Sequence, residues 1–258
     1  MHPGRADSAP RSDEETQPRG AAVARHDFVI DIVGQEICSE TLEAGRVITG
    51  DWLEERFSVS RSVVREVVRV LETLGMAESR RRVGVTILPR HRWNLFDPRV
   101  IRWQLAGANR IPQLRALTEL RSAIEPTAAR LAAEHATPQQ ASELVALGAR
   151  LFASGKEGDS ESFLELDKHF HGMVLELSGN EMFAQLHGLI DEVLIGRTHY
   201  GLMPRYPHPE ALDLHLGLAS AIQQGRPEEA SATALAIMQR TLAEMATIWE
   251  TGEAPTTE

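Results

Sequence analysis

The sequence predicts a mainly α-helical protein in two parts: a small N-terminal unit of three helices and a β-hairpin, then a larger all-α bundle. Three observations predict it. Apolar residues recur at helical spacing from Phe28 to Leu74, and again from about residue 110 to 250. The runs Met76–Ser79 and Val85–Pro89 flank an Arg/Gly tip, as in a β-hairpin. No strand pattern appears beyond residue 110. A chain of 258 residues, 42% hydrophobic and 25% charged, is neither a disordered chain, a collagen-like fibre nor a small disulfide scaffold.

Taken in order, residues 1–20 are rich in Pro, Asp, Glu, Arg and Ser without aliphatic periodicity, which predicts a disordered tail. Residues 21–89 hold the first folded unit. Val29, Ile32, Val33, Glu36 and Ile37 place an apolar stripe on one helix face, and Glu43-Ala44-Gly45 turns the chain. Asp51–Phe57 is a short second helix. Ser60 can cap a third, with Val63, Val64, Val67, Val70, Leu71 and Leu74 on its apolar side and Gly75 as its stop. Residues 90–109 form a linker with a short amphipathic helix. Residues 110–250 contain at least six helical patterns, broken at Thr137-Pro138, Gly155 to Gly158, Gly179-Asn180, Pro204 to Pro209 and Gly225-Arg226-Pro227. Residues 251–258 form a second tail.

Charge divides the chain. Its net charge is −10, yet residues 57–92 carry eight arginines against three glutamates, while residues 93–258 carry 13 basic and 22 acidic side chains. Such asymmetry points to nucleic acid, or else to a solvated arginine face. Two short helices, a tight turn at Ser58-Val59-Ser60 and a hairpin behind them make a winged helix-turn-helix. A helix beginning at Ser60 fits the major groove of double-stranded DNA with its first turns at the base edges. Arg61 and Arg65, four apart, share a face with Ser62 beside them. Arg80, Arg81, Arg82 and Gly84 form the wing tip, where glycine would let backbone approach a phosphate. Trp52 is expected in the core. The alternative for Arg65 is a salt-bridged surface with Glu66 and Arg69.

Val59 to Met76 resembles the recognition segment of GntR-type bacterial transcription regulators, VSR-x-x-VRE-x-(apolar)-x-x-L-x-x-x-G, over 18 residues. The resemblance implies that Ser60, Arg61, Ser62 and Arg65 meet DNA, with Gly84 at the wing. Many members carry Ser/Glu-Arg-Glu ahead of the recognition helix. Gly50-Asp51-Trp52 stands there in this chain, so that arginine contact is not carried over.

The helical half resembles the FadR-subfamily C-terminal (FCD) domain. The likeness rests on Leu117–Pro126, Asp167-Lys168-His169-Phe170-His171, Ser178-Gly179-Asn180 and the stretch from His215 to Gly225. It implies an effector-sensing bundle with a central cavity, a homodimer, and ligand-controlled release of DNA. Asp167 and His171, at i and i+4, can reach one point; with His215 they would suit Zn²⁺, Ni²⁺ or Mn²⁺. Many FCD domains use one Asp and three His. The third His falls at Ile237 here, with Thr241 the nearest alternative, so that ligand is missing. Asp167, His171 and His215 then hold metal weakly, bond the effector directly, or form a buried polar cluster. Arg121 on an interior face needs an anion, either an effector carboxylate or Glu125 at i+4. Arg197 faces the same region, and Asn180 is an effector contact or a helix cap. His169 is expected at the surface, and His187, His199 and His208 at the surface or in caps.

Trp93 to Trp103 resembles the linker of FCD regulators that sense sugar acids such as galactonate or gluconate. The reading is therefore a homodimeric, ligand-responsive repressor with a small carboxylate effector and a pseudo-palindromic operator. The rival is a metal-dependent helical enzyme using Asp167, His171 and His215, but no Gly-rich phosphate loop or nucleophile elbow accompanies them, so no enzyme is expected. The chain has one cysteine, Cys38, no run of 18 apolar residues and no signal-peptide core, which together predict a cytoplasmic protein away from membranes.

Overall fold

The computed structural model describes residues 19–251. Of the expected tails, residues 1–18 and 252–258 lie outside the described residues; Arg19 and Gly20 open the first helix and Thr251 ends the last. The N-terminal unit runs α1 (Arg19–Cys38), β1 (Val47–Ile48), α2 (Gly50–Phe57), α3 (Arg61–Thr73), β2 (Ala77–Arg80) and β3 (Gly84–Ile87). The buried face of α1 is Val29, Ile30, Val33, Ile37 and Cys38. It is turned slightly from the expected stripe, leaving Ile32 half-buried and Glu36 paired with Arg56 of α2 at 2.7 Å.

Helix α3 shows burial overriding propensity. Val64, Val67, Val68 and Leu71 are buried, whereas Val63 and Val70 are half-buried. Each valine costs a few tenths of a kcal/mol against a better helix former, but burying one returns about 1.5 kcal/mol or more. Ser60 stands at the N-cap position, but its hydroxyl meets the Ser62 hydroxyl at 2.8 Å and makes no backbone cap bond. Gly75 ends the helix at φ 69°, where a Cβ would run into the Arg92 carbonyl.

The hairpin gains a strand that is too short to show in the sequence. β1 pairs antiparallel with β3 (Val47 with Thr86, Ile48 with Val85), giving the order β1-β3-β2. Gly84 sits at φ 120°, and a Cβ there would stand 2.6 Å from the Ile48 carbonyl oxygen. Close strand packing is by itself enough to demand glycine at this position.

The linker is one 3-10 turn (Arg90–Arg92) followed by α4 (Pro98–Ala106), whose first turn Asp97 caps through Arg99 N. α4 has two buried faces. Trp103 belongs to the N-terminal core, while Ile101 and Leu105 belong to that of the bundle. The bundle is α5 (Arg110–His135), α6 (Pro138–Glu157), α7 (Ser160–Leu177), α8 (Glu181–Ala184), α9 (His187–His199), α10 (Pro209–Gln223) and α11 (Pro227–Thr251). Ala128, Ala129 and Ala132 are buried in α5, whose most extensive helix partner is α11. The breaks fall where expected, with one exception. Gly155 is inside α6, where a Cβ would lie 2.6 Å from the Leu212 side chain, and the helix stops at Gly158 with φ 69°. Among the described residues no helix is long and apolar enough to cross a membrane.

Candidate functional site

Two constellations stand apart in the chain. On the N-terminal unit, Ser60, Arg61, Ser62, Arg65 and Arg69 are all exposed along one side of α3. The turn that presents them passes through Ser58 at φ 51°. Arg61 leans on Glu54 at 3.2 Å and Asp51 at 3.5 Å, with its side chain 78% exposed. Such a surface pair contributes at most about 1 kcal/mol, so it holds the side chain only loosely. Arg65 and Arg69 have no ion-pair partner among the described residues, so the salt-bridged surface expected as the alternative does not form. At the wing, Arg80 pairs with Glu78 at 3.0 Å, and Arg81 and Arg82 stand exposed in the turn. Trp52 is half-buried against the core, under the Arg56 guanidinium at 5.0 Å.

The second constellation is inside the bundle. Asp167 and His171 of α7 and His215 of α10 are buried, with one ligand atom from each lying within 4.8 Å of the others. His215 Nδ1 is 2.6 Å from the Ala211 carbonyl, and His171 Nδ1 is 2.7 Å from Glu125 Oε2. Each Nδ1–H is thereby engaged as a donor, so in the neutral form of each ring the lone pair sits on Nε2. Both Nε2 atoms face Asp167 Oδ1 at 3.4 Å. That is too long and misaligned for hydrogen bonding, and Asp167 Oδ1 and His215 Nε2 remain buried without hydrogen-bond partners.

Burial, the largest single influence, would raise Asp167; the two imidazoles outweigh it and hold the carboxyl well below the usual range. Glu125 likewise falls to about 2: burial pushes it up, while Arg121 and His171 pull it further down. His171 rises to about 9, because Glu125 and Asp167 overcome the burial that alone would lower it.

Arg121 donates through Nε to Glu125 at 2.5 Å, so the intrahelical pair exists, yet both Nη groups are buried without partners. Arg197 of α9 is buried with its Nε orphaned, its Nη2 only reaching Glu244 at 3.4 Å. Burial first, and then the neighbouring Arg121 charge, lower its pKa. Together these side chains line a cavity of about 40 Å³, room for about one water molecule. Ile237 and Thr241 form part of its wall, so the position expected for the third histidine carries an apolar side chain. An outer pocket of about 560 Å³ shares Pro204, Pro207, His208, Arg240 and Glu244 with it.

Of the expected effector residues, Asn180 is not brought into this group. Its side chain caps α8 through Met182 N at 3.0 Å. His169, His187 and His199 are exposed, and His208 caps α10 at the cavity rim. Glu125 enters as an acid of the cluster as well as a partner of Arg121, and Arg240 and Glu244, an i, i+4 pair at 3.2 Å, join the rim.

The family described as "Bacterial regulatory proteins, gntR family" matches residues 25–87, and the FCD domain matches residues 116–240. The chain is 32% identical over 197 residues to the galactonate operon transcriptional repressor of Escherichia coli strain K12, covering 74% of this chain and 84% of that protein. It is 28% identical over 208 residues to the HTH-type transcriptional regulator YieP of the same strain, covering 80% and 89%. In fold alone it is similar to Lar, which controls the Listeria monocytogenes agr system, with TM-score 0.56, 13% identity and coverage of 86% and 97%. E. coli McbR/YncC matches with TM-score 0.50, 18% identity and coverage of 87% and 98%. The chain therefore belongs to the GntR family of bacterial regulatory proteins and is a transcription regulator with an FCD domain behind its DNA-binding unit.

Proposed function

We propose that this regulator is a homodimeric repressor released from its operator by a small hydroxy-carboxylate of the sugar-acid class. One observation carries the reading: orphaned lone pairs on Asp167 and His215 share a buried cavity with orphaned guanidinium N–H groups on Arg121. Unpaired acceptors suit a cation, and unpaired guanidinium donors suit a carboxylate. Asp167, His171 and His215 fit a divalent metal. Their outward ring nitrogens are already fixed by Glu125 and Ala211, the outer-shell support that metal-binding histidines use. A bound metal would supply a Lewis-acid anchor for carboxylate and hydroxyl oxygens of the effector.

Arg121 and Arg197, which line the same cavity, would take the carboxylate. With Ile237 in place of a further histidine, the protein's own donor set is three, and effector oxygens would complete the shell. A six-carbon acid exceeds the present cavity. Its lining, which includes Met203, Pro204 and Pro207, would have to rearrange to admit one. The name of the galactonate operon repressor supports an aldonate.

On the DNA side, Arg61, Ser62 and Arg65 would reach base edges and phosphates in the major groove, and Arg80 to Arg82 would follow the adjacent backbone. Two copies would read a pseudo-palindrome. Because the sites are coupled, DNA lowers effector affinity by the factor by which effector lowers DNA affinity. The test is fluorescence anisotropy on the gene's own promoter, with and without D-galactonate, D-gluconate and Zn²⁺. Release by an aldonate is expected; promoter affinity indifferent to every aldonate and uronate would sink the effector assignment.

A further inference from the structure

A separate cavity of about 300 Å³ lies at the junction of the two units, with no wall residue in common with the effector cavity. The end of α1, the loop after it, the end of β3 and the linker all contribute to it. Its volume is at the lower end of the range of small-molecule sites.

Gln104 of α4 is the informative side chain. It is 4% exposed, and its Oε1 accepts from Arg90 Nη2 at 3.1 Å. That contact fixes the amide, since the flipped group would point N–H at a guanidinium, which accepts nothing. The remaining Nε2 is buried with no hydrogen-bond partner. Native interiors rarely leave such a donor unmet, so it marks a place for an acceptor. Arg90 lines the same cavity and has no carboxylate partner among the described residues; Nη2 is shared between the Gln104 and Gln113 carbonyls. Leu42, Ile87 and Trp93 add apolar surface to the lining. Cys38 belongs to that lining: burial pushes its thiol up to about 12, against a smaller pull from Arg90, so it stays uncharged. Glu40 and Glu43 stand exposed at the edge and disfavour a second negative charge on an occupant.

We infer that this junction cavity binds a small monocarboxylate with a compact apolar body. The carboxylate takes the Gln104 amide N–H and the Arg90 guanidinium, and the body lies against Leu42, Ile87 and Trp93. Such a ligand would touch both the DNA-binding core and the linker helix.

The test is calorimetry on the full chain, with benzoate, phenylacetate and isovalerate as probes. At least one is expected to saturate one site per chain with a Kd on the order of 10 mM or tighter, the range open to ligands of this size. Gln104→Leu and Arg90→Ala should each weaken that probe by about ten-fold or more, the usual effect of losing a hydrogen bond to a charged group. The probe should raise the melting temperature of the wild type but not that of Gln104→Leu. Failure of all three probes to saturate the wild type overturns the inference. So does probe affinity that survives Gln104→Leu.

Discussion

The indole of Trp103 closes directly over Gly34: a Cβ on that glycine would stand 2.5 Å from the ring carbons. Trp103 is 1% exposed, and its Nε1 donates to Asp31 on the same helix as Gly34, at 2.9 Å. Gly34→Ala must push α4 off α1. We expect it to destabilise the protein by about 1–3 kcal/mol, the usual range for overpacking. Urea denaturation checks this, and an unchanged midpoint would show that α4 can move away freely.

Arg65 is exposed and unpaired, so Arg65→Ala should leave the melting temperature within about 1 °C of wild type, as surface changes do. Operator affinity should fall. If the side chain holds a phosphate, the slope of log K against log salt drops by about one; if it reads guanine, specificity at one base pair relaxes while the slope holds. Intact operator binding by the variant would remove α3 from the reading surface.

For the metal, Asp167→Ala or His215→Ala should abolish stoichiometric Zn²⁺ uptake in a chelator competition. Glu125→Gln is the sharper variant. Glu125 is not one of the three candidate donors but contacts the His171 ring, and loss of such support typically weakens metal binding by about 10–100-fold. Wild-type affinity in Glu125→Gln would show that the ring is held by packing alone.

In chelator-treated protein the same cluster dictates a pH profile. His171 titrates at about 9 when folded against an ordinary 6.5, so its contribution is complete below 6.5 and is lost as pH rises through 9. Glu125 titrates at about 2 against an ordinary 4.5, so its contribution is complete above 4.5 and is lost as pH falls towards 2. Stability should therefore plateau between 4.5 and 6.5 and decline on both sides. Urea midpoints across pH test this, and His171→Leu should flatten the alkaline limb.

What was legible in the sequence followed local periodicity. The apolar spacing from Val64 to Leu71 and the glycine stops at Gly75, Gly158 and Gly179 are properties of single helices, and the structure places them accordingly. The two-residue β1 is too short to alternate, so only its long-range pairing with β3 reveals it. Gly155 reads as a breaker in one dimension; Leu212, 57 positions on, makes it a packing residue. The site divides in the same way. Asp167 and His171 share one helix face, whereas the contact of Glu125 with His171 and of Arg197 with Glu244 depends on how separate helices cross. Asn180 shows the reverse: a polar residue in a family motif whose side chain serves its own backbone turn.

Because α4 supplies Trp103 to one core and Ile101 with Leu105 to the other, the two halves are not interchangeable cassettes. A chimera spliced at residue 90 hands the reader unit a foreign helix and opens a tryptophan-sized hole above Gly34, a loss of about 3–5 kcal/mol. A splice after Gly107 keeps Trp103 but asks an unrelated sensor to accommodate Ile101 and Leu105. Engineering a biosensor on this scaffold therefore begins with redesigning one face of a nine-residue helix.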